Sequence, residues 1–409
     1  MDLSGNVRSA LGALPPGPRA SVERLLRESR RGVDNVANTV RRQADRGDRS
    51  ERWGFPPRLP TPVRVLIGPT NSAGQGTAWA RAIERHSPGV GVRSLGVTNA
   101  FGFPQDYSVD PEHFHSAAWG ADHRDYVCAT FTHVVIEAGR TIFGRTLGGD
   151  CGPEIPVMRE LGLQVAVLTH GSDARIPSRH ARREPYSPFR DVTDPLTAKL
   201  EVTAQRYHDL LAVYDGTVLV STPDMLADLP RAAWCPVVID PARWRGPILT
   251  GLPARPVVVH APSKAALKGT GLIEPVLEAL DAAGVITYRR LHGIPSEHMP
   301  AAYREADIVA DQFSLGSYGV AACEAMATGR IVLGHVSDDV RHTVRSATAR
   351  DLPVVEATPE TMAEVIRDLV RDSTRVEQIS RAGLDFVHQV HDGRMAVDAL
   401  TPFLAKVGA

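Results

Sequence analysis

The residues best suited to chemistry lie in the segment ADIVADQFSLGSYGVAACEAMATGRIVLGHV, in the second half of the chain. A strand-like apolar run ends at Asp311, a loop with Gly316 and Gly319 follows, and a helical pattern then continues to Gly329. Glycines let backbone N–H groups approach an anion closely, and a helix N-terminus adds partial positive charge. This segment therefore predicts a binding site for a diphosphate.

Glu324 lies about one turn into that helix. From there its carboxylate can accept hydrogen bonds from the 2′ and 3′ hydroxyls of a ribose. The structural alternative is that Glu324 only caps the helix or pairs with an arginine. Asp311 and Gln312 end the preceding strand on the same side, so they either orient the loop or contact the ligand directly.

The first half of the chain carries a glycine-rich loop of its own, in IGPTNSAGQGTAWARAIER, with Gly74 and Gln75 between a strand and a helix. A loop that binds a dinucleotide is the competing interpretation. The spacing of Gly68, Gly74 and Gly76 does not fit the pattern of three glycines that such loops require, so a nicotinamide enzyme is a weak alternative.

His170 ends another strand of the first half, in VLTHGSDAR. A lone histidine is more often structural, but at a strand end it can hydrogen-bond a sugar or stabilise charge. Asp173 and Arg175 follow it and are candidates for the wall of an acceptor pocket.

Metal ligands are not evident in the sequence. His113, His115 and His123 lack a regular metal-binding spacing, the four cysteines lie far apart, and no DxD-type acidic pair follows a strand. Because a lysine and a helix N-terminus can stabilise a departing anion, we expect no metal ion and no cofactor.

Apolar strand-like runs alternate with helical patterns, which predicts parallel sheets covered by helices in an α/β fold. Two doubly wound halves in series place the carboxyl ends of their strands on a shared cleft, where ligands bind. The predicted strands span residues 63–69, 132–138, 163–171 and 216–222 in the first series, and 256–263, 285–293, 306–312, 330–336 and 352–357 in the second.

These patterns divide the chain into four segments. Residues 1–60 are predicted to form an arginine-rich helical extension, with apolar residues at helical spacing between 22 and 40, followed by a proline-rich linker. Residues 61–245 and 246–390 are predicted to form two Rossmann-like domains, and 391–409 a helix that packs back on the first domain.

The composition fits a folded, two-domain protein of 409 residues. Its 46 Lys and Arg residues nearly balance its 47 Asp and Glu residues, so a nucleic-acid partner is not expected. Because the chain shows no secretion signal and no apolar run long enough to cross a bilayer, we expect a cytoplasmic location. Residues 1–60 either pack on the first domain or contact a membrane surface or a partner protein.

The segments HAPSKAALKGT, YREADIVADQ and GSYGVAACEAMATGR together resemble the donor domain of retaining glycosyltransferases of family 4. The resemblance covers residues 256–340 closely and 61–395 in general layout. It implies the GT-B fold, in which an acceptor domain and a nucleotide-sugar donor domain face a central cleft. In that family the lysine of the KG pair binds the donor diphosphate and the glutamate before AMA binds the ribose. The resemblance thus implies these roles for Lys268 and Glu324.

The resemblance also implies roles for residues outside these motifs. Gly74 and Gln75 match a first-domain loop that approaches the diphosphate, and His170 matches a histidine near the donor sugar. The base should lie near Ile294, where a predicted strand of the second domain ends.

Two positions depart from the family pattern. Gly316 stands where the family often has a glutamate that touches the sugar hydroxyls, and Ser263 stands where an arginine is common. The candidates for the missing sugar contacts are the backbone groups of Ser317, Tyr318 and Gly319. The candidate for the missing positive charge is the side chain of Lys264.

The resemblance predicts a metal-independent transferase that moves a sugar from a UDP- or GDP-sugar to an acceptor hydroxyl and retains the anomeric configuration. The acceptor is open, since a glycan, a lipid-linked glycan or a secondary metabolite would fit. Three alternatives remain: a sugar-nucleotide epimerase of the same architecture, a non-catalytic or specialised sugar-nucleotide-binding protein, and a DNA-modifying glycosyltransferase that uses residues 1–60.

Overall fold

The computed structural model describes residues 52–99 and 101–405. The helical pattern predicted between residues 22 and 40 lies outside the described residues. Residues 55–60 run without regular secondary structure into the first strand. The described chain then forms two parallel sheets with helices between their strands.

The first sheet contains seven parallel strands. They are β1 (Val63–Gly68), β2 (Val90–Val97), β3 (Tyr107–Val109), β4 (His133–Glu137), β5 (Gln164–Thr169), β6 (Thr217–Val220) and β7 (Ala233–Trp234). Their order across the sheet is β3-β2-β1-β4-β5-β6-β7. The order reverses between β1 and β4, so the loops that leave these two strands diverge and open a crevice at their carboxyl ends.

The second sheet contains five parallel strands. They are β8 (Val257–His260), β9 (Thr287–Arg290), β10 (Ile308–Ala310), β11 (Ile331–Gly334) and β12 (Val355–Glu356). Their order is β12-β11-β10-β8-β9, and the reversal falls between β8 and β10. Lys268 follows β8 and Asp311 follows β10, so the reversal brings these two residues to one crevice.

Helices connect the strands of both sheets. Those of the first half are α1 (Gln75–His86), α2 (Pro111–Phe114), α3 (Ala117–Thr130), α4 (Glu154–Glu160), α5 (Pro177–Arg183) and α6 (Pro195–Val213). Those of the second half are α7 (Ala265–Lys268), α8 (Thr270–Ala282), α9 (Met299–Arg304), α10 (Val320–Ala327), α11 (Asp338–Thr348), α12 (Met362–Arg371), α13 (Ser373–Val390) and α14 (Arg394–Leu404).

The last helix, α14, packs against α1 and the first sheet. Its side chains Val397, Leu400 and Phe403 are buried in one cluster with Trp79 and the strands β1 and β4. The chain turns into α14 at Gly393, which has φ 104° and lies so close to α1 that an added Cβ would be 2.6 Å from the Cβ of Ala82. Only glycine fits that turn without displacing a helix.

All nine predicted strands are confirmed, and three further strands, β2, β3 and β7, join the first sheet. Strands buried on both faces read as continuous apolar runs, which is why the central strands were recognisable in the sequence. The architecture is the predicted α/β arrangement of two Rossmann-like units.

Candidate functional site

Loops from the two halves of the chain meet in a cleft at the carboxyl ends of the sheets. The Ser317 hydroxyl, which follows β10, donates a 2.8 Å hydrogen bond to the carboxylate of Asp224, which follows β6. The ring of His180 lies 3.3 Å from the carbonyl oxygen of Leu315 in the same loop. These two contacts fix the loop of residues 315–317 against the first half of the chain.

A buried carboxylate organises the first-half side of the cleft. Glu137 ends β4, has no exposed surface, and accepts hydrogen bonds from the backbone N–H groups of Thr70 (3.0 Å) and Asn71 (2.8 Å). Its other oxygen lies 3.0 Å from Nε2 of His170. Glu137 thereby connects the glycine-rich loop to the predicted catalytic histidine. Glu137 is not among the predicted site residues, although its place at the end of an apolar strand was a signal for it.

The surroundings of His170 favour its charged form. Burial lowers its pKa, but the hydrogen bond and negative charge of Glu137, with a smaller effect from Asp173, outweigh burial and raise the pKa above its usual value. The ring stacks on Trp79 with centroids 5.7 Å apart. Its orientation is thus fixed from two sides, and an imidazolium facing the cleft can stabilise negative charge.

The glycine-rich loop adopts left-handed backbone conformations at Asn71, Ala73 and Gly74 (φ 43°, 51° and 74°). Gly74 directly precedes α1, so the helix begins at the cleft. The side chain of Gln75 is turned away, because its amide makes two hydrogen bonds with the backbone of Val238 (2.7 and 3.1 Å). A donor contact from Gln75 through its backbone stays a prediction.

The predicted acceptor-side residues are both engaged in hydrogen bonds or ion pairs. The carboxylate of Asp173 accepts hydrogen bonds from the backbone N–H groups of His170 (3.1 Å) and Gly171 (2.7 Å), which holds the loop after β5. Arg175 is buried and forms an ion pair with Asp224. These two residues therefore hold the cleft wall in shape, and contact with an acceptor stays a prediction for both.

A charged cluster occupies the second-half side of the cleft. Nζ of Lys268 donates to the carboxylate of Asp311 over 2.5 Å. Among the described residues, the carboxylate of Glu324 has no hydrogen-bond partner. Burial raises the pKa of Glu324 to about 8, and Asp311 adds to this rise, while Arg243 and Lys268 oppose it. The cluster can accept hydroxyl donors at Glu324 and an anion at Lys268.

Arg243 is a member of this cluster that sequence reasoning missed. It lies in the connection between the two sheets and donates a 2.6 Å hydrogen bond to the carbonyl oxygen of Ser296. No local motif marks it, because only the fold brings this connection to Glu324. Ile294, the residue predicted to lie near the base, is half-buried two positions before Ser296.

Hydrogen bonds to Gly316 and Ser317 hold the loop before α10 in place. Gly316 has φ 61°, and its carbonyl oxygen accepts a 3.0 Å hydrogen bond from Ser337. The carbonyl oxygen of Ser317 accepts a hydrogen bond from the side-chain amide of Gln312 (2.7 Å), and Tyr318 is buried. Gly319 leads directly into α10. The loop is thus fixed at the start of a helix, as an anion site requires.

The remaining predicted donor residues, Ser263 and Lys264, are exposed just before the short helix α7. Lys264 also lines a cavity of about 270 Å³ with Ser172, which lies two residues beyond His170. The cavity wall is otherwise apolar, formed by two residues of α6 and three of α7: Leu196, Leu200, Ala265, Ala266 and Leu267. The structure therefore places Lys264 on the same cleft as the first-half loops.

Within residues 52–99 and 101–405, no three His, Cys, Asp or Glu side chains come together in a way that could bind a metal ion. Over the same ranges, none of the helices has the length and apolar character needed to cross a membrane.

Comparison of the whole chain with known proteins gives matches in structure and not in sequence. No protein-family model and no curated protein matches the chain. Sucrose-phosphate synthase from Thermosynechococcus elongatus superposes with a TM-score of 0.52 at 12% identity, over 83% of this chain and 98% of that chain. HepE from Anabaena, in complexes with UDP and glucose and with UDP-glucose, superposes with a TM-score of 0.53 at 10% identity, over 84% of this chain and 99% of that chain. The chain therefore has the GT-B fold, with two Rossmann-like units that face a cleft.

Proposed function

We propose that the protein is a retaining glycosyltransferase of the family 4 type that transfers a sugar from a UDP- or GDP-sugar to an acceptor hydroxyl. The observation that carries the proposal is the cluster of Lys268, Asp311 and Glu324 at the strand reversal of the second sheet. That HepE shares the fold and was solved with UDP-glucose supports a sugar nucleotide as donor.

Lys268 is proposed to bind the donor diphosphate. Its ammonium group has three N–H donors, so it can keep its hydrogen bond to Asp311 and still donate to a phosphate oxygen. A cation aimed at the charge that develops on the leaving group lowers the barrier more than it stabilises the bound donor. The backbone N–H groups of residues 316–319 and the start of α10 add to this charge stabilisation.

Glu324 is proposed to accept hydrogen bonds from the ribose hydroxyls. Its carboxylate is largely buried and has no hydrogen-bond donor in the part of the chain that the structure describes, so a ribose would supply the missing partners. Ile294 and its neighbours are proposed to face the base, with Gly74 and Gln75 contacting the diphosphate through their backbone.

The proposed reaction breaks the bond between the anomeric carbon and the diphosphate oxygen. The acceptor oxygen bonds to the same face of that carbon, and the acceptor proton passes to the departing phosphate. His170, held by Glu137, is proposed to hydrogen-bond the sugar and to stabilise negative charge close to the anomeric carbon. No metal ion has a role in this scheme, and the acceptor is proposed to be a glycan, a lipid-linked glycan or a secondary metabolite.

We also propose a role for each domain. Residues 61–245 would bind the acceptor, residues 246–390 the donor, and residues 391–409 would connect the end of the chain to the first domain. We further propose a cytoplasmic location, with residues 1–60 in contact with a membrane surface or a partner protein.

NMR of the purified protein with UDP-glucose, UDP-N-acetylglucosamine and GDP-mannose tests this function. Even without an acceptor, a transferase that retains configuration is expected to hydrolyse its donor slowly and to release the α-anomer of the sugar first. Lys268→Ala should abolish the release of the nucleoside diphosphate. Initial release of the β-anomer would contradict retention, and tight binding without release would favour a non-catalytic binding protein.

A further inference from the structure

A carboxylate from the first half of the chain lies directly on the loop before α10. Glu184 follows α5, and its side chain is 8% exposed. A Cβ built on Gly316 would overlap with the carboxylate group of Glu184. The space above Gly316, where any other residue would place its own side chain, is therefore filled by an acid from the opposite side of the cleft.

Neighbouring contacts hold Glu184 in this position. The backbone N–H of Glu184 donates to the carbonyl oxygen of His180 (2.9 Å), whose ring contacts Leu315. Two residues beyond Glu184, the hydroxyl of Tyr186 donates a 2.6 Å hydrogen bond to Glu360 in the second half. The carboxylate is thus fixed at the loop by contacts on both sides of it.

The hydrogen bonding of this carboxylate is incomplete. Its Oε2 atom is buried and has no hydrogen-bond partner within the described part of the chain. Nε2 of His335 lies 3.5 Å from this same Oε2 atom, which is within ion-pair distance but makes no hydrogen bond. Nδ1 of His335 is 2.7 Å from Glu356. A buried carboxylate with an unused acceptor is costly, so a ligand that brings hydroxyl donors would be favoured here.

We propose that Glu184 accepts hydrogen bonds from hydroxyl groups of the transferred sugar and so helps to determine which donor is used. This inference rests on the proposed function, in which the loop of residues 316–319 approaches the donor. The second half of the chain would then bind the diphosphate, while Glu184 of the first half contacts the sugar hydroxyls. Glu184 is a specificity residue in this scheme and takes no part in the proton transfer.

Isothermal titration can separate sugar recognition from nucleotide binding. The dissociation constants of UDP, UDP-glucose, UDP-N-acetylglucosamine, GDP and GDP-mannose are measured for the wild type, Glu184→Gln and His335→Gln. The relevant quantity is the ratio of the dissociation constant of each sugar nucleotide to that of its own nucleoside diphosphate. Glu184→Gln keeps the shape of the side chain and removes its charge, and His335→Gln breaks the ion pair but keeps the carboxylate.

We expect Glu184→Gln to raise this ratio about tenfold or more for the donor that binds best, as loss of charge-assisted hydrogen bonds implies. The affinity for the nucleoside diphosphate alone should stay within about threefold of the wild type, and His335→Gln should leave the ratio unchanged. An unchanged ratio in Glu184→Gln, including an equal weakening of both ligands, would overturn the inference. Absence of any nucleotide binding by the wild type would instead overturn the proposed function on which it rests.

Discussion

Asp224 pairs with a buried arginine of its own half and accepts a hydrogen bond from the other half, so its removal should be strongly destabilising. Its carboxylate forms an ion pair with Arg175, which is 5% exposed, and accepts the hydrogen bond of Ser317. Among residues 52–99 and 101–405, the Nε atom of Arg175 already lacks a hydrogen-bond partner. In Asp224→Ala a buried guanidinium would therefore lose its counter-charge, which typically costs about 3–5 kcal/mol of unfolding free energy. The lost Ser317 hydrogen bond adds about 1 kcal/mol.

The double variant Arg175→Met/Asp224→Leu is the matched control for this prediction. It removes both charges together, so no unpaired ion is left in the interior, and most of the stability lost in Asp224→Ala should return. Urea unfolding followed by far-UV circular dichroism at neutral pH measures the three proteins. A loss below about 1 kcal/mol in Asp224→Ala, or a double variant less stable than the single one, would refute this reasoning.

The same ion pair should make the free energy of unfolding depend on pH. Burial alone would raise the pKa of Asp224, but the charge of Arg175 and the hydrogen bonds from Arg175 and Ser317 hold it below its usual value. A depressed pKa gives stability that is present above the ordinary carboxyl range and is lost as pH falls below it. The wild type should therefore lose stability relative to the double variant below about pH 4, and parallel acid profiles would contradict the assignment.

Three further changes test separate parts of the structure. Glu324→Gln should stabilise the protein more at pH 9 than at pH 5, by roughly 4 kcal/mol. The reason is that a pKa of about 8 makes the folded state lose stability as pH rises above the ordinary carboxyl range. Equal effects at both pH values would contradict the buried carboxyl. His335→Gln should lower the free energy of unfolding by about 1–2 kcal/mol below pH 6.5 and have little effect above pH 9. The reason is that Glu184 and Glu356 raise the pKa of His335 to about 9, although burial opposes them. A loss of stability that persists above pH 9 would show that packing, not the ion pair, accounts for it. Gly393→Ala should lower the melting temperature by several degrees, because the added Cβ would clash with α1 and the backbone there has a positive φ. An unchanged melting temperature would show that α14 can shift to relieve the clash.

The central strands of both sheets were predictable because they are buried on both faces. The runs VRVLIG, HVVIE and QVAVLT are almost continuously apolar, as a covered parallel strand must be. The strand Val90–Val97 was missed because VGVRSLGV contains two glycines and an arginine, which weaken the apolar pattern. The short strands β3 and β7 pair only because neighbouring strands provide an edge, which no local signal reveals.

The candidate site was predictable to the extent that its residues lie at strand ends or in glycine-rich loops. Lys268, Glu324 and His170 satisfy this condition. Lys268 and Glu324 lie in one charged cluster of the second half, and His170 is held by Glu137 at the strand ends of the first half. Arg243 and Glu184 do not, because each reaches the cleft from a connection or a helix end whose position depends on the packing of the two halves. Such residues become visible only when long-range contacts are known.

Titration of the protein with UDP and GDP by calorimetry tests the central claim, a donor site at Lys268 and Glu324, most directly. We expect one of the two nucleotides to bind with a dissociation constant on the order of micromolar. Lys268→Ala should weaken that binding at least about tenfold through loss of a charge-assisted hydrogen bond, and Glu324→Ala about tenfold through loss of its hydrogen bonds to the ribose. Lys199→Ala, which removes an exposed lysine of α6, is the control and should bind as the wild type does. Binding of neither nucleotide, or equal affinity in all four proteins, would contradict the donor site.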